Sequence, residues 1–275
     1  MDKTSLGNRM KQYEAVPKIF LMRKVPAIIR LDGKAFHTFT RGFEKPFDKI
    51  IETAMKETML YLCKNIQGCA LGYTQSDEIT LVLCDYQKTD TDAWFEYNVQ
   101  KIASVSAAMA TYAFNMALDN IAADLFAAAG SHETKIADLI MRKKSKGVFF
   151  DARAFSVPRH EVVNCLIWRQ QDATRNSIQA LAQSLYSHDE LQGINCNELQ
   201  DKMFTEKGVN WNDLTTYQKR GACAIQKFVT KESKTKGLVT RYSWVIDDEI
   251  PIFTQDRGYI EDRITFYTLK EDDND

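Results

Sequence analysis

The chain has 275 residues, 44% hydrophobic and 27% charged, a composition that excludes a disordered, collagen-like or coiled-coil protein. Lys plus Arg number 36 against 37 Asp plus Glu, and the net charge of −1 excludes a uniformly basic nucleic-acid coat while leaving room for a local basic groove. A chain this long, one large domain or two small ones, builds a core without disulfide or metal staples.

The six cysteines (Cys63, Cys69, Cys84, Cys165, Cys196, Cys223) include no C-x-x-C pair, so they read as reduced thiols rather than a zinc ribbon or redox motif. No leader-like segment opens the sequence and no apolar run reaches 18 residues, which predicts a soluble, cytoplasmic protein with no membrane partner.

In chain order, VPAIIRL (25–31) ends in Asp32-Gly33 and reads as a buried strand followed by a turn. A polar, basic stretch follows, and then Phe47 to Ile66 carries apolar residues at helical spacing, with Pro46 as the expected helix start. CALGYT (69–74) and ITLVLC (79–84) read as two strands around Gln75-Ser76-Asp77-Glu78, a hairpin. From Thr91 to about Leu125 an Ala-rich helix is expected to pack against something flat. The basic run Arg142–Lys146 leads into a fourth strand, GVFFDARAFSV (147–157), and Pro158 opens a helix running to about Tyr186. The remainder reads as short helices and loops, with one or two strands within 238–253 and a solvated acidic tail, KEDDND.

The order over 25–157 is therefore β-α-β-β-α-β, the ferredoxin-like split βαβ. The expected fold is α+β: a palm-like antiparallel sheet over residues 1–157 with helices on one face, and a mainly helical portion over 158–275 packed on it.

That topology turns scattered acids into a site. Strand three runs between strands one and two in the opposite direction, so Asp32, just after strand one, meets Asp77 and Glu78 at the start of strand three. Converging carboxylates raise one another's pKa; a divalent cation removes the penalty. An all-oxygen set suits Mg2+, which takes its other ligands from water and substrate phosphates. Two such ions about 3.5–4 Å apart activate an attacking hydroxyl and stabilise a leaving phosphate. Gly33, without a Cβ, lets a backbone group approach metal or phosphate. Lys34, His37, Arg41 and Lys45 supply cations for a triphosphate. Each acid alone is more often a turn or a hairpin tip; only their convergence favours catalysis.

RLDGKAFHTF (30–39), EKPFD (44–48), GYTQSDEITLV (72–82) and FDARAF (150–155) closely resemble the tRNA(His) guanylyltransferase family. The likeness is strongest to the bacterial and archaeal guanylyltransferase-like proteins, which are template-dependent 3′-to-5′ polymerases. The resemblance implies that Asp32 and Asp77 bridge two Mg2+ ions with the Gly33 carbonyl as a further ligand, and that Glu78 is a supporting acid. It implies that Asp32, Gly33, Lys34, Ala35, Phe36, His37, Ser76 and Asp77 line the nucleoside triphosphate, with Lys45 and Arg153 near its phosphates. It further implies ATP and GTP as substrates, tRNA as partner and a tetrameric assembly.

One stretch departs from the family. Eukaryotic members carry HINNLYN after an Arg-Gln-x-Asp segment; here Ala-Thr-Arg-Asn-Ser-Ile-Gln follows Gln171-Asp172, so only Asn176 survives. That disfavours non-templated guanosine addition and favours templated repair of 5′-truncated tRNA. Arg169, Asp172 and Asn176 share one helix face, and a local structural network competes with catalysis for them. Arg142–Lys146, Lys219-Arg220 and the series Lys227, Lys231, Lys234, Lys236 are candidates for RNA phosphates, although lysine-rich stretches are more often plain solvated surface.

Two rivals remain. A nucleotide cyclase-like palm enzyme would act on nucleotide alone. A non-catalytic RNA-binding module of the same strand order needs aromatics on its central strands, and VPAIIRL and ITLVLC have none.

Overall fold

The computed structural model describes residues 4–86, 91–233 and 237–265. The KEDDND tail and Lys234 and Lys236 fall outside the described residues. In chain order the elements are α1 (Ser5–Ala15), β1 (Ala27–Gly33), α2 (Phe36–Phe39), α3 (Lys49–Asn65), β2 (Cys69–Gln75) and β3 (Glu78–Leu83). They continue with α4 (Val99–Ala127), α5 (Ser131–Lys144), β4 (Phe150–Ser156), α6 (Arg159–Leu185), α7 (His188–Leu191) and α8 (Cys196–Lys207). The last are α9 (Thr216–Arg220), β5 (Ala222–Ser233), β6 (Gly237–Asp247) and α10 (Gly258–Glu261).

The six strands form one sheet in the order β4-β1-β3-β2-β5-β6, antiparallel throughout. Its first four strands have the split βαβ order expected of residues 25–157. β1 shows why both faces must be covered: Ala27, Ile29 and Leu31 belong to one buried cluster and Ile28 to another. Side chains alternate across a strand, so a strand with apolar residues on both faces needs two layers.

α3 and α4 form the first layer. α3 buries Ala54, Met55, Met59, Leu62 and Cys63 at the 3–4 spacing of an amphipathic helix. Its start differs from expectation: the N-cap is Asp48, whose carboxylate accepts the N–H groups of Ile50 and Ile51, the bond that satisfies a helix's orphan donors. α4 buries Ala110, Ala113, Ala117 and Ala122 around Phe114, so small residues bring its backbone near the sheet.

The opposite face carries α6 through Val162, Val163 and Leu166, together with Ile250, Phe253, Ile260 and Ile264 from the C-terminal segment. The second half of α6 joins α8 in a third cluster around Leu181, Ala182, Leu199 and Met203.

The C-terminal portion contributes more strand than the sequence suggested. β6 begins one residue before the expected 238–253 region and otherwise lies inside it, but β5 occupies a stretch expected to be helix and loop. β2 pairs with β5 only at Ala222 to Ala224, while β5 and β6 pair from Cys223↔Asp247 out to Ser233↔Gly237. The outer part of this hairpin is therefore a two-stranded ribbon standing clear of the sheet, with Phe228 75% exposed.

Candidate active site

The β2–β3 turn is tighter than expected. β2 runs through Gln75 and β3 begins at Glu78, leaving Ser76 and Asp77 to turn the chain, with Ser76 at φ 49. The Gly33 N–H donates to the Asp77 carbonyl at 3.0 Å. This main-chain bond brings the end of β1 against the turn and sets Asp32 beside Asp77, acids 45 positions apart in the sequence.

Register completes the rim. Asp32 lies opposite Glu78 on β3 and opposite Asp151 on β4. Directly opposed residues of antiparallel strands share a face, so Asp151, Asp32 and Glu78 form a row across three strands on the face that α6 covers. The next row along is Arg153, Arg30 and Thr80. Asp151 has no place in the sequence reading, although β1–β4 pairing in the split βαβ order was enough to find it.

The electrostatics follow from this crowding. Burial raises the Asp32 carboxyl above its ordinary value, Asp151 raises it further, and Arg153, Arg30 and Arg169 pull it back. Burial likewise raises Asp77, Asp32 adds to it, and its backbone bond, Ser76 and His37 oppose the shift. The Ser76 hydroxyl donates to Asp77 Oδ1 at 3.1 Å. Two neighbouring acids whose ionisation is disfavoured by burial and by adjacent carboxylates suit a divalent cation.

Among the described residues no group of three His, Cys, Asp or Glu side chains converges as a metal cage. The available donors are the Asp32 and Asp77 carboxylates and nearby main-chain carbonyls. Such a set fits Mg2+, which takes few protein ligands and fills its shell with water and substrate phosphate.

Glu78 has a partner of its own. Its Oε2 accepts from Arg169 Nη1 at 2.8 Å, and Arg169 Nη2 donates to Asp172 at 2.9 Å. Arg169 is only 6% exposed, and Asp172 also pairs with Arg175. Burial still raises the Glu78 carboxyl, the charges of Arg169 and Arg30 opposing it. The i, i+3 spacing on α6 thus builds the local network anticipated for Arg169 and Asp172, and ties α6 to β3.

The loop after β1 packs as it turns. Phe36 is buried among Phe39, Phe114 and Phe150 with ring centroids 5.3 Å away in each case. A Cβ on Gly33 would fall 2.3 Å from that ring, so Phe36 packing by itself requires a glycine here. Ala35 turns the chain at φ 54 and is exposed. The Lys34 ammonium lies 5.9 Å from the Phe149 ring.

Beside Asp77 opens a cleft of about 330 Å3. Phe36, His37, Lys45, Ser76 and Asp77 line it, and α6 contributes Asn176. Asp32, Gly33, Lys34, Ala35, Glu78 and Arg153 lie outside its wall; Arg153 sits 3.7 Å from Asp151. The far wall holds Tyr217, Gln218 and Arg220 of α9 and Glu52 of α3, of which the sequence singles out only Arg220, as half of a basic pair.

A family model described as tRNAHis guanylyltransferase matches residues 7–158, more than half of the chain. The chain belongs to this family. The match runs from α1 to just past β4 and takes in every acid of the rim.

Solved structures extend the likeness through α6 and the ribbon. A bacterial tRNA(His) guanylyltransferase (Thg1)-like protein in complex with ATP is 42% identical, with a TM-score of 0.78 over 95% of this chain and 99% of its own. A second such structure, in complex with GTP, is 41% identical, with a TM-score of 0.77 over 96% of this chain and 100% of its own. A probable tRNA(His) guanylyltransferase of Dictyostelium discoideum is 24% identical over 86% of this chain and 88% of its own. The tRNA(His) guanylyltransferase family fold is thus present from the palm sheet to the C-terminal helices, and the chain is a tRNA nucleotidyltransferase of that family. No helix among the described residues is long and apolar enough to cross a membrane.

Proposed function

We propose that this enzyme extends 5′-truncated tRNA in the 3′-to-5′ direction, choosing each nucleotide by pairing with the opposite strand. The observation that carries the reading is the Asp32–Asp77 pair, held by the Gly33–Asp77 backbone bond, with Asp77 in the wall of the cleft and Asp32 just outside it. The ATP and GTP complexes of the bacterial relatives support nucleoside triphosphates as the occupants.

In the first step an oxygen of the RNA 5′-monophosphate attacks the α-phosphorus of ATP; the bond to the β-phosphate breaks and pyrophosphate leaves. In the second, the 3′-hydroxyl of the incoming nucleotide attacks the activated 5′-phosphorus; AMP leaves and the hydroxyl proton passes to solvent. RNA with a 5′-triphosphate enters at the second step and releases pyrophosphate. Bound Mg2+ ions, two in this reading, supply hydroxyl activation and charge neutralisation at phosphorus. Asp32 and Asp77 are the residues to hold them, while His37, Lys45 and Ser76 meet the triphosphate. Lys34, Arg153 and main-chain groups of Gly33, Ala35 and Phe36 act from outside the cleft wall, and Glu78 acts as a supporting acid fixed by Arg169.

Templating is favoured by residues 173–179. Asn176 faces the cleft and Ser177 accepts the Trp211 indole N–H at 3.0 Å, whereas the His and Tyr of the eukaryotic motif have no counterpart. Tetramer formation and a cytoplasmic setting belong to the same reading and follow the family resemblance.

A 5′-truncated tRNA with labelled 5′-phosphate, incubated with ATP, Mg2+ and each nucleotide in turn, tests the proposal. Extension should occur only with the nucleotide complementary to the opposite base; no extension by the wild-type enzyme overturns it. Asp77→Ala should abolish extension with tRNA Kd changed by less than about twofold, since basic residues carry that affinity. Undiminished extension by that variant overturns the site.

A further inference from the structure

Of the three basic segments singled out in the sequence, the structure sets one apart. Lys219 is engaged, donating to the Asn212 carbonyl at 2.6 Å and lying 6.0 Å from the Trp211 ring, and Arg220 donates to the Ile250 carbonyl at 3.2 Å. Lys227 stands on the projecting ribbon. The end of α5 differs: Lys144 is paired with Asp119, but Arg142 and Lys146 are exposed and have no carboxylate partner among the described residues.

Lys143 fixes this patch to the nucleotide loop by donating to the Thr38 carbonyl at 3.1 Å, one residue beyond His37. Its ammonium is driven below its ordinary value by burial and by the charges of Lys146, Arg41 and Arg142, so four cations gather at this end of α5. The helix dipole favours cations in the last turn of α5 but gives no reason for Arg41 to join them.

The patch also has an aromatic continuation. Phe149 is 52% exposed; its ring fills the space where a Cβ of Gly147, at φ +81, would stand. Its carbonyl accepts the Lys34 N–H at 2.9 Å and its ring lies under the Lys34 ammonium. A chain of cations and one exposed ring therefore leads from Arg41 to the residue that follows Asp32-Gly33. Cations interleaved with an aromatic platform suit a single strand, phosphates on the cations and an unpaired base on the ring.

We infer that Arg41, Arg142, Lys143, Lys146, Phe149 and Lys34 form a track for the unpaired 3′ strand of the RNA substrate, the strand opposite the truncated 5′ end, holding it on the α5 side of the acids. The inference deepens the proposed function and rests on RNA being the substrate.

Fluorescence anisotropy with a labelled 5′-truncated tRNA over a range of KCl concentrations tests it. Arg142→Ala/Lys146→Ala should raise Kd about fivefold or more and lower the salt slope by about 1.5, the loss of two phosphate contacts, while leaving ATP affinity unchanged. Phe149→Leu, which keeps Gly147 covered, should weaken binding about fivefold with the slope intact. Unchanged Kd and slope in the double variant overturn the track, as does a parallel loss of ATP affinity, which would assign the cations to the triphosphate. A change of oligomeric state in either variant overturns it in favour of a contact between copies. If the wild type binds tRNA but does not extend it, the polymerase assignment falls while the track remains under test by binding.

Discussion

At the scale of single residues, Asp32 and Asp77 have a cost that only a ligand removes. Folding raises both carboxyls, so the folded state favours their protonated forms. Stability is therefore lost as pH rises from the ordinary carboxylate range through the raised values, and is retained below it. Without Mg2+ at neutral pH, Asp77→Asn should melt about 1–2 °C above the wild type, a small gain because both side chains are partly solvated. Added Mg2+ should close the gap by raising only the wild type, and thermal melts from acid to neutral pH check both statements. Arg169 is the opposite case. Arg169→Ala leaves the Glu78 carboxylate buried and unpaired, and should lower stability by about 3 kcal/mol in urea unfolding, with Glu78→Gln restoring part of the loss. The acids Asp32, Asp77 and Glu78 were legible because they flank apolar runs whose topology is known. Asp151 is marked only by its register opposite Asp32, since no motif or turn distinguishes it within its strand. Gly33 was legible as necessary, but the sequence did not show that the Phe36 ring folds back over it and leaves no room for a Cβ.

At the scale of elements, the first four strands could be read because each holds or directly follows an apolar run bounded by turn residues, while β5 could not. ACAIQKFVTKES has an apolar start that meets β2 and a polar remainder on a ribbon solvated along most of its length, so no single buried face imposes alternation. What fixes the ribbon to the sheet is its first turn. Gly221 closes α9 at φ 84, and a Cβ there would lie 2.3 Å from the Thr74 carbonyl. The Tyr73 hydroxyl donates to the Arg220 carbonyl at 2.8 Å beside it. Gly221→Ala combines a left-handed conformation with a backbone clash and should cost about 2 kcal/mol or more, measured by chemical denaturation. The same variant should weaken nucleotide binding, because Arg220 and Gly221 both line the cleft.

At the scale of the whole molecule, the cleft is a joint product of separate parts: the loop after β1, the β2–β3 turn, α6 and α9 all reach it. No motif records that α9 closes one wall, because its position depends on how α6 and the C-terminal segment pack over the sheet. Ligand binding should therefore stabilise the fold as a unit. Saturating ATP with Mg2+, at about 100 times Kd, should add about 2.7 kcal/mol by linkage, whereas ATP with a chelator should add much less. Differential scanning calorimetry distinguishes the two, and equal stabilisation would argue against metal-assisted binding.

The link between β1 and the turn that carries Asp77 runs through the peptide group of Asp77 and not through its carboxylate. The backbone path of the turn is thus set without the Asp77 side chain. Asparagine or alanine there should yield an inert but faithfully shaped protein, a trap in which an RNA end and a nucleoside triphosphate can be crystallised together before either is consumed.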